Sequence, residues 1–193
     1  MDDDIILGFD PGSRNTGFAV LKKQGNTFHA VDCGAISLAH LDDHSQRLHL
    51  LYTTVKQLVI LHKPASCAVE TPVYGKDPLA MLKLGRAQAA IMLAVSNQGV
   101  SVTEYYPKSV KKSITGRGNS AKDQVAYMLA KMITMPEKDL TADATDALAV
   151  AWCHHMQTGS AVRLAAGKKK THQNNRNSSW SDFVRDNEDR IKK

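Results

Sequence analysis

The strongest constraint on the fold is a change in the spacing of apolar residues at about residue 40. Before that point the sequence predicts three β-strands, Ile5–Asp10, Thr16–Lys23 and Thr27–Leu38. After it, apolar residues recur at helical spacing from Leu48 to Val59, until Pro64 ends the segment. A chain that changes from strands to helices in this way is restricted to folds in which helices cover a sheet.

Helices and strands alternate in the rest of the chain. The predicted segments are a strand at Cys67–Glu70, a helix capped by Asp77 and ending near Asn97, a strand at Val100–Tyr106, a helix from a Ser120-x-x-Asp123 capping box to about Ile133, and a helix from about Thr141 to Met156. Strands that follow helical crossovers are parallel, so strands 4 and 5 should be parallel to strand 1, and strands 1–3 an antiparallel meander. The predicted fold class is α/β, a mixed five-stranded sheet with helices on both faces.

The composition is typical of one folded domain. The chain has 193 residues, of which 42% are hydrophobic, and this excludes a wholly disordered protein. No uninterrupted apolar run is longer than seven residues, whereas a membrane-spanning helix needs roughly 20. The N-terminus is acidic where a secretion signal would be basic. Three widely spaced cysteines predict reduced thiols, so we expect a cytoplasmic protein.

The positive charge is unevenly distributed. The formal net charge is +6. Residues 157–193 hold nine basic and four acidic side chains, so most of the excess positive charge lies there. This predicts a folded domain at 1–157 followed by a basic, polar and flexible tail at 158–193, which could bind nucleic acid or serve only as a solvated tail. A second cluster lies inside the domain and contains no acid: Lys108, Lys111, Lys112, Arg117 and Lys122. Such a cluster is typical of a phosphate-binding surface.

Four carboxylates are expected to meet. Asp10 and Glu70 end two apolar strands that should be adjacent and parallel, and Asp143 and Asp146 lie on one face of the last helix. Singly, each has an ordinary explanation: a turn for Asp10, a lysine partner for Glu70, and helix-dipole charges for the other two. Together they would repel one another unless cations held them. The set therefore predicts Mg²⁺ or Mn²⁺, with two ions per site, as in phosphodiester hydrolysis.

Weaker motifs leave alternatives open. Gly116–Ala121 loosely matches a dinucleotide fingerprint, but it lacks the βαβ context and is better interpreted as a phosphate-facing loop. Cys153-His154-His155 lacks zinc spacing and is interpreted as closing a helix. Tyr74, followed by Lys76, is either a platform that stacks on an unpaired base or a half-buried anchor.

Five motifs resemble the RuvC family of Holliday junction resolvases, in the family's order and spacing, over about residues 4–157. They are Leu7–Phe18, Ala68–Glu70, Leu82–Ala87, Val110–Val125 and Ala142–Ala149. The resemblance implies an RNase H-like fold with strand order 3-2-1-4-5. It also implies a homodimeric, Mg²⁺-dependent endodeoxyribonuclease that nicks two strands of a four-way DNA junction symmetrically, leaving 5′-phosphate and 3′-hydroxyl ends, in recombination and repair. The family works with the RuvA–RuvB branch-migration complex.

The resemblance also assigns residues. Asp10, Glu70, Asp143 and Asp146 match the family's metal-binding acids, and Lys111 and Lys122 match its two functional lysines. The helix around Gly85–Ala94 matches part of the family's dimer contact. Val73 stands where the family commonly has an aromatic residue, and Tyr74 is the candidate replacement. The expected DNA contacts are Tyr74, Lys76, Lys108, Lys111, Lys112, Arg117 and Lys122. The tail after about Gln157 matches none of the motifs.

Three other functions remain open at this point. One is an RNase H-like nuclease that acts on another branched DNA or on an RNA–DNA hybrid. Another is a junction-binding protein without catalysis, which four intact acids argue against. The last is an actin-like ATPase, because the segment that follows Asp10 loosely resembles a phosphate loop. That fold generally needs two lobes, whereas 193 residues provide one.

Overall fold

The strands form one mixed sheet in the order β3-β2-β1-β4-β5. A computed structural model describes residues 4–73, 77–137 and 139–167, and residues up to Gly159 form one compact unit. β1 pairs antiparallel with β2, and β2 with β3, whereas β4 is parallel to both β1 and β5. The strand directions predicted from the sequence, and the strand order that the resemblance implies, are confirmed. The strands are β1 (Asp4–Asp10), β2 (Asn15–Gln24), β3 (Thr27–Ser37), β4 (Ser66–Glu70) and β5 (Ser101–Tyr105).

Helices cover both faces of the sheet, as predicted. They are α1 (His44–His62), α2 (Pro78–Ser96), α3 (Pro107–Thr115), α4 (Lys122–Met132) and α5 (Ala142–Gly167). Alternate residues of β1 point to opposite faces, since Leu7 and Phe9 join the core formed with α1 and α2, and Ile6 joins the core formed with α3–α5. Two hydrophobic cores therefore hold the sheet between them.

Helix α5 lies against the sheet at two glycines. A Cβ atom on Gly8 would come 2.8 Å from the backbone nitrogen of Ala151 and closer still to the carbonyl oxygen of Ala147. A Cβ on Gly17 would overlap the carbonyl group of Asp143. The missing side chains let the first half of α5 approach the end of β1. This close approach places the acids of α5 beside the acid that ends β1.

Helix α3 is absent from the sequence-based prediction, which treats this region as a charged stretch. It has only nine residues, with Pro107 at its first position and two buried residues, Val110 and Ile114. Gly116 ends it in the left-handed conformation, with φ of 76°. The helical spacing of Val110 and Ile114 was the one signal for it.

The predicted capping role of Ser120 is wrong. The N-cap of α4 is Ala121, whose N–H donates to Oε1 of Gln124 over 3.3 Å. The Ser120 hydroxyl instead lies 2.7 Å from the hydroxyl of Thr115 and donates to the carbonyl of Arg117 over 3.2 Å. These bonds close the loop between α3 and α4, so the serine stabilises the loop and the helix starts one residue later.

Helix α5 is longer than predicted. It continues to Gly167 rather than ending near Met156, so residues 158–167 of the predicted flexible tail are helical. The interpretation of Cys153-His154-His155 as a helix end is therefore wrong. His154 is buried, and its ring bonds the Tyr105 hydroxyl and the Ser66 hydroxyl, each over 2.9 Å. Residues 168–193 lie outside the described part of the chain, and the boundary at 157 stays a prediction.

Helix α2 is long and apolar enough to cross a membrane, judged by length and composition alone. The helix contains no long uninterrupted apolar run, because polar residues such as Lys83 and Arg86 interrupt the segment. Its buried residues Ala87, Ile91 and Val95 pack in the core beside α1. A core helix meets the same criteria, and this packing accounts for the apolar composition of one side of α2.

We expect Gly8→Ala to destabilise the domain because the new methyl group would collide with the α5 backbone. Overpacking of this kind costs roughly 1–3 kcal/mol of the free energy of unfolding, which denaturant titration would measure. Gly34→Ala is the matched control, since its nearest neighbour is the Phe18 ring at 3.0 Å, a side chain that can shift. Equal losses in the two variants would contradict the close packing of α5.

Candidate active site

One cavity of about 340 Å³ collects most of the predicted site residues. Its charged lining comes from five different elements and consists of Asp10, Glu70, Lys111, Lys122 and Asp146. Its uncharged walls are Pro107, Val110, Val125 and Ala149, none of which was predicted as a site residue. The helical spacing of Val110 and Ile114 in α3, and of Val125 and Leu129 in α4, was the sequence signal that these valines face inward.

The sheet brings Asp10 and Glu70 together. β1 and β4 are neighbours and run parallel, with Phe9 opposite Val69 as the last register pair. The next residue on each strand is the carboxylate, so both acids lie at the same end of the sheet, where β1 and β4 finish. The meeting of these two acids, inferred from strand order alone, is confirmed by the geometry.

The two acids of α5 do not occupy equivalent positions. Asp146 lines the cavity, whereas Asp143 is absent from the lining. The backbone carbonyl of Asp143 lies against Gly17 of β2, and its charge still contributes to raising the pKa of Asp10. The structure thus places three of the four predicted acids around the cavity and the fourth within electrostatic reach of Asp10.

Burial changes the protonation of the two strand acids. Desolvation raises the pKa of Asp10 to about 6, with a further increase from the charge of Asp146, partly offset by Lys122. Desolvation likewise raises the pKa of Glu70 to about 7, and the charges of Asp10 and Asp146 add to it. Groups with pKa values near neutrality in a cleft are typical of functional sites.

Two lysines counter this negative charge. Lys122 forms an ion pair with Asp146, and this hydrogen bond is the largest cause of the raised pKa of the lysine. Lys111 acts at longer range and lowers the pKa of Glu70. Both lysines that the resemblance assigned as functional therefore line the same cavity as the carboxylates.

The donor chemistry of the cavity fits a hard divalent cation. In the described residues, no three His, Cys, Asp or Glu side chains lie close enough together to form a ligand set. The side chains of Asp10, Glu70 and Asp146 nevertheless line one space, and Asp10 and Glu70 are partly desolvated there. Carboxylate oxygens are the ligands that Mg²⁺ and Mn²⁺ prefer, and a cation there would relieve the repulsion between the acids.

The remaining predicted DNA contacts lie away from the cavity. Lys108, Lys112 and Arg117 are exposed and are not part of its lining. Arg117 lines a separate cleft, together with Tyr127 of α4. Tyr74 and Lys76 lie outside the described residues, so their predicted roles stay predictions. Val73, at the position where the family commonly has an aromatic, is exposed.

Comparison with known proteins gives consistent matches. Residues 6–154 match the family described as crossover junction endodeoxyribonuclease RuvC. A relative of that name from Salinibacter ruber is 42% identical over 188 residues, which cover 97% of this chain and 98% of the relative. Another, from Chloroherpeton thalassium, is 37% identical over 183 residues, covering 95% and 96%. Because the first match covers 97% of this chain, it extends through most of residues 158–193, which the motifs left unmatched.

Solved structures share the fold. The structure of T. thermophilus RuvC in complex with Holliday junction substrate matches with a TM-score of 0.76 and 24% identity, covering 82% of this chain and 96% of that one. The yeast mitochondrial Holliday junction resolvase Ydc2 matches with a TM-score of 0.64 and 12% identity, covering 84% of each chain. Identity of 42% across nearly two whole chains accompanies this shared fold, and the chain belongs to the RuvC family of crossover junction endodeoxyribonucleases.

Proposed function

We propose that this chain cuts four-way DNA junctions by metal-dependent phosphodiester hydrolysis. The observation that carries the proposal is the single cavity in which three carboxylates face two lysines. Membership of the RuvC family supports the same activity. The test is incubation of a synthetic four-way junction with the protein and Mg²⁺, followed by denaturing gels that show whether opposite strands are cut at symmetric positions.

Asp10, Glu70 and Asp146 would hold the metal, with Asp143 close enough to contribute its charge. Bound there, Mg²⁺ or Mn²⁺ would supply an acidified water and stabilise the departing 3′ oxygen, with two ions sharing these tasks. The products would carry 5′-phosphate and 3′-hydroxyl ends. The chain's own part is to hold the carboxylates partly desolvated and around one space, which the ends of β1 and β4 and helix α5 achieve.

The lysines act on the phosphate. Lys122 reaches into the cavity from the start of α4, where its ammonium group can neutralise charge that develops on the scissile phosphate. Lys111, on α3, also lines the cavity and can hold the backbone of the same strand. The exposed Lys108, Lys112 and Arg117 are suited to phosphates farther from the cut.

A homodimer would supply the second cut. Symmetric nicks need two sites related by a two-fold axis, and α2 offers an apolar groove lined by Pro78, Met81, Leu82, Gly85, Arg86 and Ala89. Leu79, Leu82 and Leu93 of this helix are at least half exposed. We propose that a second copy covers this face, which the mass in solution would test. We further propose that the protein acts in the cytoplasm, together with a RuvA–RuvB branch-migration complex.

Other substrates are distinguished by direct comparison. An RNase H-like nuclease with another target would prefer an RNA–DNA hybrid or a different branched DNA over the four-way junction. A binding protein without catalysis would retain the junction and release no metal-dependent product. Equal amounts of junction, hybrid and plain duplex, each assayed with and without Mg²⁺, separate these cases.

Asp10→Asn should abolish cleavage and leave junction binding largely intact. The amide keeps the shape of the side chain but is a poor ligand for a divalent cation, whereas the phosphate contacts lie on α3 and α4. Cleavage would be measured in Mg²⁺ and affinity in its absence, with the exposed loop variant Asp42→Asn as the control. Cleavage by Asp10→Asn at the wild-type rate would refute the proposed mechanism.

The same substitution should stabilise the metal-free protein at alkaline pH. The pKa values of Asp10 and Glu70 are raised in the folded state, so their favourable contribution is complete below about pH 4 and is lost as pH rises through 6 and 7. Asp10→Asn removes one of these charges, which corresponds to on the order of 1–3 kcal/mol.

We therefore expect the melting temperature of Asp10→Asn to exceed that of the wild type at pH 8 and to approach it at pH 5. Mg²⁺ should reduce the difference at pH 8 by stabilising the wild type alone. Thermal unfolding at both pH values, in chelator and in Mg²⁺, would measure this. A constant difference between the two proteins across pH would contradict burial of the Asp10 charge.

Lys122→Ala should lower the rate of cleavage more than the affinity for the junction. Loss of one preorganised donor to a developing charge typically costs about 10²–10³ in rate. Lys112→Ala, which removes an exposed lysine outside the cavity, is the matched control and should weaken binding and its salt dependence without changing the rate at saturating enzyme. If both variants lost rate and affinity in the same ratio, Lys122 would have no catalytic role.

A further inference from the structure

A chain of hydrogen bonds links helix α2 to the residue that follows Glu70. The side chain of Gln88, on α2, is buried, and its Nε2 donates to Oε2 of Glu104 over 2.7 Å. The hydroxyl of Thr71 donates to the same oxygen over 3.4 Å. Glu104 lies on β5, the edge strand of the sheet. One carboxylate oxygen thus joins a helix, an edge strand and the loop after β4.

The backbone continues this connection to Glu70. Glu70 is the last residue of β4 and lies opposite Tyr105 in the register with β5. The N–H of Thr71 then donates to the carbonyl of Tyr105 over 2.9 Å. The peptide that follows Glu70 is therefore held at two points, through its N–H by the strand backbone and through the Thr71 hydroxyl by Glu104. Beyond this point the chain leaves the sheet.

The environment of Gln88 indicates that the bridge is more than packing. Gln88 is one of four polar residues that are buried in the described part of the chain. An amide donor without a partner would be costly there, whereas a leucine of similar size would not. Glu104 is largely exposed and could be solvated by water. The hydrogen bond from Gln88 therefore fixes the direction of the Glu104 carboxylate, which water alone could solvate.

We propose that Gln88 and Glu104 are positioning residues that hold Glu70 in place through Thr71. The inference rests on the proposed function, in which Glu70 is a metal ligand. Hydrogen-bonding groups behind metal ligands typically affect metal affinity or activity by 10–100-fold. Here the support is applied to the backbone next to the ligand, because Glu70 is the last residue of its strand and Thr71 is the residue that both Tyr105 and Glu104 hold.

Four variants test the bridge. Gln88→Leu removes the donor with little change in volume, Glu104→Ala removes the acceptor, and Glu104→Gln keeps an acceptor oxygen without the charge. Thr103→Ala, an exposed change on the same strand, is the control. We expect Gln88→Leu and Glu104→Ala to slow junction cleavage at saturating enzyme by roughly 10–100-fold, with junction affinity and melting temperature unchanged. Glu104→Gln should retain most of the rate.

Hydrogen exchange provides a readout that does not need activity. In the metal-free protein, the Thr71 amide should exchange faster in Gln88→Leu and Glu104→Ala than in the wild type and in Thr103→Ala. Failure of the wild type to cut the junction would refute the proposed function, and exchange at Thr71 would still decide whether the bridge holds this loop.

Two results would overturn the inference. The first is wild-type exchange at Thr71 in Gln88→Leu, which would show that the bridge does not hold the loop. The second is a loss of rate in Gln88→Leu and Glu104→Ala that follows a loss of melting temperature, with an equal loss of rate in Glu104→Gln. That result would leave Gln88 and Glu104 a purely structural role.

Discussion

Repulsion between partly buried carboxylates is the constraint on which the rest of the site depends. Asp10 and Glu70 leave two apolar strands at the same edge of the sheet, where burial raises the pKa of each and their charges act on one another. Such an arrangement costs free energy that other parts of the domain must offset. In the described lining of the cavity, the cations that face these acids are Lys111 and Lys122. The site therefore combines a destabilising acidic centre with a basic wall that limits its cost.

The packing of α5 both offsets this cost and creates it. Residues from Ala144 to Cys153 are buried, apart from the half-buried Thr145 and Asp146. Small residues at 144, 147 and 151 and the glycines of β1 and β2 let the helix axis approach the sheet. The same approach places Asp146 in the cavity. The contact that stabilises the domain is thus also the contact that concentrates its negative charge.

Element types and strand directions could be predicted because they depend on local spacing and on general rules of connection, whereas the full strand order was implied by the resemblance to the family. The meeting of Asp10 and Glu70 followed from the same rules, since the ends of adjacent parallel strands share an edge. The difference between Asp143 and Asp146 could not be predicted. Both lie on one face by spacing, but the rotation of α5 about its axis is set by tertiary contact with Gly8 and Gly17. Short elements such as α3 were also not predicted, because one apolar pair, Val110 and Ile114, carries little periodic signal.

The basic segment at 108–122 shows how the fold divides a charge cluster that the sequence presents as one. Val110 and Ile114 enter the core and fix the rotation of α3, so Lys111 turns toward the acids while Lys108 and Lys112 remain exposed. A sum of formal charges therefore counts cations that have different partners. Some reduce the repulsion within the site, and the others remain available to the phosphate backbone.

The ion pair of Lys122 with Asp146 connects these two roles. The lysine side chain is 69% exposed, and its ammonium group has three donors. It can therefore exchange the carboxylate of Asp146 for a phosphate oxygen by rotating its own side chain, while the backbone of α4 stays in place. Without substrate, the pair partly neutralises the acidic centre. In the proposed reaction the same positive charge would already be within reach of the phosphate, so the site would need no rearrangement of the fold to change from one partner to the other.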